Sequence, residues 1–355
     1  MTEEAGYLHF TACFGKVNDN QISVKSKSKK RYFFTTRSYI TSEFIKFKSS
    51  GLIKKAMKYN QLGNSGLQIS EIAFGCMSLE ADQKIASQLI DKAIDGGINL
   101  FDTADLYQQG QNEVMLGKAL KGKRDQVMIA TKVGNQWRAD GSGWDWNPQK
   151  SYILEAVEKS LKRLQTDYID LYQLHGGTLE DPIDDTIEAF EMLKSHGKIR
   201  AYGISSIRPN VIRAYIEKTR IASNMMQYSL LDRRPEESSL PALKNAGVGM
   251  LARGTLAQGM LAGKERKQYL DFDVAAIKSV VRLVDELSVK YGVSTACIAT
   301  KFVLNNDAVT SVVAGIRTQK QLEQMLEFDS KADLSSVDLS KLANIIPPNY
   351  YQNHR

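Results

Sequence analysis

Only three cysteines occur in 355 residues, Cys13, Cys76 and Cys297. They are too few and too scattered for a disulfide framework or a zinc site, no metal is expected, and a reducing, cytoplasmic setting fits. No long apolar run is present, which argues against a membrane span, and no small-residue cleavage site marks a secretory signal. No strand-like segment is followed by G-x-G-x-x-G, so the usual fingerprint of a doubly wound dinucleotide domain is missing. The body also lacks net charge. Residues 1–56 hold 11 Lys and Arg against 4 Asp and Glu, which accounts for the whole +7 of the chain and leaves the remainder formally neutral. Nothing in that balance calls for a nucleic-acid partner.

The basic segment, with KSKSKKR at 25–31, reads as a disordered tail or an upstream extension ahead of a natural start at Met57. Docking of the cluster on an anionic surface is the alternative. Glu3 and Glu4 argue against a mitochondrial presequence, which would be poor in acids. The expected organisation is an extension over 1–56 and one folded body over 57–355.

What the body has in abundance is alternation. KYNQLGNSGLQISEIAFG opens it as a β-hairpin, with Gly and Asn able to supply a tight turn. Short apolar runs then alternate with amphipathic stretches eight times: ISEIAFGCM, NLFDTA, VMIATKVG, YIDLYQLHGG, IRAYGISS, NMMQYSLL, VGMLARGTL and VTSVVAGI are each followed by a helical segment. Near-continuous apolar strands are buried on both faces, as in parallel sheets. Eight such units predict a (β/α)8 TIM barrel with an N-terminal hairpin cap; a doubly wound sheet is the alternative.

In such a barrel, chemistry gathers where strands end at their C-terminal tops. Those ends carry Asp102 and, beyond it, Tyr107; then Lys132, His175, Ser205 and Ser206, Gln227, and Arg253. A lysine ending the apolar run MIATKVG must be paired, and Asp102 on the neighbouring strand is the natural partner. A cation about 4 Å from a phenol, at an effective dielectric near 20, favours phenolate by roughly 4 kcal/mol. That is about three pKa units, so Lys132 is expected to lower the pKa of Tyr107 and make it a usable general acid. His175 would hydrogen-bond the same substrate oxygen. Asp105 reads as a solvated loop carboxylate, with a part in shaping that turn as the alternative.

The segments FDTADLY, ATKVG and YIDLYQLHG resemble the signature segments of the aldo-keto reductase superfamily. YGISS, MQYSLLDRRPEE, LARGTLAQGML and AGIRTQKQLEQ resemble its cofactor-binding segments, so the likeness spans residues 57–330. MQYSLLDRRPE and DLYQLHGG are similar to those of bacterial members linked to general stress and carbonyl detoxification. The resemblance implies reduction of small aldehydes and ketones by a nicotinamide cofactor, with Asp102, Tyr107, Lys132 and His175 as the catalytic tetrad. It implies that Ser205 and Gln227 hold the carboxamide, with Ser206, Arg253 and Gly254 also among the cofactor-binding residues. The backbone of Leu256, Gln258 and Gly259 would approach the pyrophosphate, and Gly315, Arg317, Thr318 and Gln321 the adenosine phosphate. Arg317 and Lys320 could meet a 2′-phosphate, which favours NADPH over NADH.

Three positions depart from the family pattern: Ser206 replaces an asparagine, Arg253 replaces an aromatic, and Met325 stands where an asparagine is usual near the adenine. Trp137, in the loop GNQWRADGSGWDWNPQK, is the expected wall of an apolar substrate pocket, with packing inside the loop as the alternative. Two other functions fit the same residues: a cofactor-binding regulatory module with little turnover, and a barrel in which Lys132 forms a Schiff base.

Overall fold

The computed structural model describes residues 21–25, 31–35, 57–327 and 333–355. The chain divides into two units, Met1–Gly51 and Leu52–Arg355. In the first, β1 (Gln21–Lys25) pairs antiparallel with β2 (Arg31–Thr35). The rest of the tail expected over 1–56 lies outside the described residues.

In the second unit, β3 (Tyr59–Gln61) and β4 (Gln68–Ser70) form the expected hairpin. The run ISEIAFGCM, expected as one strand, breaks at Glu71, so that its first part stays in the hairpin and β5 (Ile72–Gly75) enters the barrel. The other barrel strands are β6 (Leu100–Asp102), β7 (Met128–Val133), β10 (Ile169–Leu174), β11 (Ile199–Ile204), β12 (Ser223–Gln227), β13 (Gly249–Arg253) and β14 (Val309–Gly315). A short hairpin, β8 (Asn135–Trp137) with β9 (Trp144–Trp146), rises from the top of β7. The eight barrel strands pair in parallel and in sequence order, and β14 closes on β5. This is the (β/α)8 barrel.

The outer layer holds α1 (Gln83–Asp95), α2 (Gln111–Ala119), α3 (Lys150–Leu164), α4 (Ile183–Ser195), α5 (Pro209–Lys218), α6 (Ser239–Asn245), α7 (Val274–Tyr291), α8 (Thr295–Leu304), α9 (Gln319–Leu326) and α10 (Ser336–Asn344). The first shows how sequence sets these helices. Asp82 caps α1 by accepting from the backbone of Lys84 and Ile85, Ala86, Leu89, Ile90 and Ala93 are buried, and Gly96 ends the helix. Such a cap contributes about 1 kcal/mol. Neither α8 nor α10 was expected. Nearly every residue of α8 is buried, so it has no polar face to give a period.

Strand alternation divides the core in two. Phe74, Phe101, Ile129 and Tyr172 face the helices, while Ala73, Leu100, Ala130, Leu171, Met225, Leu251 and Val313 fill the barrel. Leu62, Leu67 and Ile69 from the β3–β4 hairpin join that inner cluster and plug the N-terminal end. Two residues further up each strand, the same alternation brings Asp102, Lys132, Gln173, Gln227 and Arg253 to the inner layer at the opposite end. Apolar packing gives way there to a charged and amide-bearing floor.

Candidate active site

Lys132 is 1% exposed. Its ammonium donates to both Asp102 carboxylate oxygens, at 2.7 and 2.8 Å, and to the Thr103 carbonyl at 2.8 Å. Those three contacts use its three donors, and the Tyr107 hydroxyl lies at a longer 3.4 Å. The rings of Tyr107 and His175 meet edge to face with centroids 5.9 Å apart. Four residues from three adjacent strand tops therefore converge as the sequence led us to expect.

The electrostatics correct one expectation. Burial raises the Tyr107 phenol above its ordinary value, and the opposing pull of Lys132 does not overcome it. Tyr107 is a neutral phenol that holds its proton. Lys132 itself is disfavoured as a cation by burial, but the charge of Asp102 and the contact with Tyr107 more than compensate and raise its pKa. An amine so held has no free lone pair, which weighs against Schiff-base chemistry. Burial first, then Lys132 and Arg253, bring the His175 imidazole down to about 3. His175 is thus neutral at physiological pH, with Nδ1 unpartnered among the described residues.

Asp105 is not the solvated loop residue expected. It is 8% exposed, and burial, reinforced by the charge of Glu113 and opposed by Arg163, raises its carboxyl to about 8. Behind it stands a brace that sequence reasoning missed. Arg163 on α3 donates to Glu113 at 2.6 Å, Thr131 on β7 donates to the same carboxylate at 2.6 Å, and Thr103 donates to Asn112 at 2.7 Å. Asn112 and Glu113 open α2, directly after the turn of Gln108, Gln109 and Gly110, all with positive φ. The Tyr107 loop is therefore fixed at its exit by buried polar contacts.

On the opposite arc, Ser205 is half-buried at the top of β11 and its backbone N–H donates to the Leu174 carbonyl at 2.7 Å. Ser206 is buried and already engaged: its N–H donates to Asn224 at 3.2 Å, and its hydroxyl accepts from the Arg208 N–H at 3.3 Å. Asn224, which no sequence signal singled out, returns a bond to the Ser206 carbonyl. Gln227 donates to the Tyr269 hydroxyl at 3.4 Å, and Arg253 stands beside it in register on β13.

Beyond Arg253 the backbone turns left-handed at Gly254, Ala257, Gln258 and Gly259, with φ of 70°, 45°, 59° and 94°. Two N–H groups close this turn on itself, that of Ala257 on the Gly254 carbonyl at 2.9 Å and that of Gly259 on the Leu256 carbonyl at 2.8 Å, and the Gln258 side lies exposed. Leu256 is half-buried within this loop. Gly315 is exposed at the top of β14 beside Gly75. Thr318 caps α9, Gln321 accepts from the Arg317 N–H at 2.9 Å, and the side chains of Arg317 and Lys320 are exposed. Met325 points into the core.

Trp137 is half-buried, donates to the Leu106 carbonyl at 3.2 Å, and lines a cavity of about 290 Å³ with Asp105, Tyr152 and Arg163. Trp146 covers Gly134 and Gly176, where an added Cβ would come within 2.6 and 3.3 Å of its ring. Trp146 thus covers the glycine that follows His175, with its N–H donated to Asp181 at 2.9 Å.

The aldo/keto reductase family model matches residues 71–346. The chain belongs to the aldo/keto reductase family. It is 44% identical to the uncharacterized oxidoreductase YqkF of Bacillus subtilis, over 84% of this chain and all of that protein. The NADH-specific methylglyoxal reductase of Escherichia coli is 29% identical, over 76% of this chain and 92% of its own length. Among solved structures, the holo form of aldo-keto reductase AKR11C1 from Bacillus halodurans superposes with a TM-score of 0.78 at 45% identity, covering 84% of this chain and 99% of that one. As a member of the family, the protein is an oxidoreductase acting on small carbonyl compounds with a nicotinamide cofactor. Among the described residues, no helix is long and apolar enough to cross a membrane.

Proposed function

We propose that the protein reduces reactive aldehydes and ketones to alcohols with NADPH, and that Tyr107 is the proton donor. The contact that carries this reading is the 3.4 Å approach of the buried Lys132 ammonium to the Tyr107 hydroxyl. A phenol kept protonated by burial can donate to a substrate oxygen, and the phenolate then left behind is stabilised by the adjacent ammonium. Lys132 thus acts as charge develops rather than in the resting state. Asp102 keeps that ammonium protonated and aimed. The neutral His175 imidazole retains one N–H to donate to the same oxygen.

A nicotinamide held there would supply the hydride for the carbonyl carbon, while Tyr107 gives its proton to the oxygen and regains one from solvent. The residues on the other arc fit such a group. Ser205 and Gln227 present a hydroxyl and an amide to a carboxamide, the exposed turn at Gln258 lets a pyrophosphate approach the backbone, and Arg317 and Lys320 suit a 2′-phosphate. That pair of exposed cations supports NADPH, in contrast to the relative named for NADH. Methylglyoxal in that relative's name, together with the likeness to carbonyl-detoxifying members, supports small reactive carbonyls as the substrate class.

The test is NADPH oxidation with a panel of reactive carbonyls, comparing wild type with Tyr107→Phe. A loss in kcat of roughly 10²–10⁴-fold with unchanged NADPH affinity is expected for a general acid. Tight NADPH binding without turnover by either protein would instead favour the regulatory role.

A further inference from the structure

The polar floor of the barrel does not balance its charges. Asp102 and Lys132 neutralise one another, and the pKa of about 3 leaves His175 uncharged. One cation remains: Arg253, half-buried at the end of β13, forms no ion pair among the described residues. An unpaired guanidinium in a partly desolvated site must either meet an anion or act through its field.

Its place in the ring decides between these. With the strands in the order β10, β11, β12, β13, β14, β5, β6, β7, β13 lies directly across the barrel from β7, which carries Lys132. Tyr107, Lys132 and His175 occupy one arc, while Ser205, Gln227 and Arg253 occupy the other. A hydride donor that delivers to a carbonyl held by Tyr107 and His175 must overlie that second arc, and Arg253 is its cation. A reduced nicotinamide ring is neutral and an oxidised one carries a positive charge, so a guanidinium beneath the ring discriminates between them by Coulomb repulsion. The floor reaches this arc electrostatically in any case, since Arg253 helps hold the His175 imidazole down.

We propose that Arg253 makes the site selective for the redox state of its cofactor, holding reduced nicotinamide and expelling oxidised nicotinamide, so that the protein works as a reductase little inhibited by its spent cofactor. This rests on the reading that a nicotinamide ring lies over β11–β13. The charge difference is at the ring and is the same with or without a 2′-phosphate, so NAD(H) and NADP(H) should be discriminated alike.

The experiment is to titrate NADPH, NADP+, NADH and NAD+ separately into wild type, Arg253→Met and Arg253→Lys, following tryptophan fluorescence and calorimetric heat. Thermal unfolding of each variant confirms that it is folded. Wild type should bind each reduced form at least about tenfold more tightly than its oxidised partner, a difference of about 1.4 kcal/mol. Arg253→Met should bring the ratio close to one by tightening the oxidised forms, and Arg253→Lys should keep it. Equal affinities in wild type, or a ratio unchanged in Arg253→Met, would overturn the proposal. Parallel weakening of both redox forms in Arg253→Met would also overturn it, and would make Arg253 an anchor for a phosphate or carboxylate. Failure of wild type to bind any of the four would sink the cofactor reading itself, and this proposal with it.

Discussion

Both carboxylate oxygens of Asp102 close on the ammonium of Lys132, at 2.7 and 2.8 Å, with the two residues 4% and 1% exposed. Among the described residues, neither forms another ion pair. Removing one member of such a pair strands the other in low dielectric, at a cost of about 3–5 kcal/mol, whereas replacing both by apolar groups is far milder. Lys132→Met should therefore lower stability by that amount, and the double variant Lys132→Met with Asp102→Leu should recover most of it. Denaturant unfolding of wild type, Lys132→Met, Asp102→Leu and the double variant checks this; additive losses would mean that the pair is not coupled in folding.

His175 sets a pH dependence with a definite sign. Its pKa falls from about 6.5 unfolded to about 3 folded. Between those values the unfolded chain binds the extra proton, so this residue lowers stability as pH falls from 6.5 toward 3. His175→Asn should be less acid-sensitive than wild type over that window, as read from the urea midpoint at several pH values. Because the imidazole is already neutral, kcat/KM should show no His175 inflection near pH 6.5.

Asp105 works the other way. A carboxyl raised from 3.8 to about 8 makes the folded state the better proton binder, so its favourable contribution is complete below pH 4 and is lost as pH climbs through 8. Asp105→Asn should stabilise the protein by roughly 1–3 kcal/mol at pH 8 and by much less at pH 4. If the two proteins differ equally at both pH values, the carboxyl is already ionised when folded.

Exposed cations at the β14–α9 turn should select the cofactor. Arg317→Ala combined with Lys320→Ala should weaken NADPH by about tenfold or more, as the loss of charge-assisted contacts to phosphate implies. NADH binding should change little. Equal weakening of both, measured by fluorescence titration, would remove these residues from 2′-phosphate recognition.

The barrel and its floor were legible because they follow from one-dimensional pattern. Parallel strands buried on both faces leave continuous apolar runs, and a lysine or aspartate ending such a run cannot be accidental. Asp102, Lys132 and His175 stood out for that reason. What escaped needed three dimensions. Asp105 looked solvated because the groups that enclose it, Glu113 and Arg163, arrive from other elements. For Tyr107, Coulomb attraction to Lys132 was visible in sequence, but the larger effect of burial was not. Asn224 lies near the start of a buried strand, and the Ser206 backbone beside it gives it a purpose. Helix α8 lacked a polar face and so showed no period.

The plug of Leu62, Leu67 and Ile69 has a kinetic consequence. A barrel stoppered at one end is a cup with a single doorway. Anything that reaches the floor passes the same rim on the way in and on the way out, so of two visitors the one that sits deeper must be first to arrive and last to depart. First in is last out, and that order follows from a barrel packed solid beneath its floor, with the hairpin closing the end far from the chemistry.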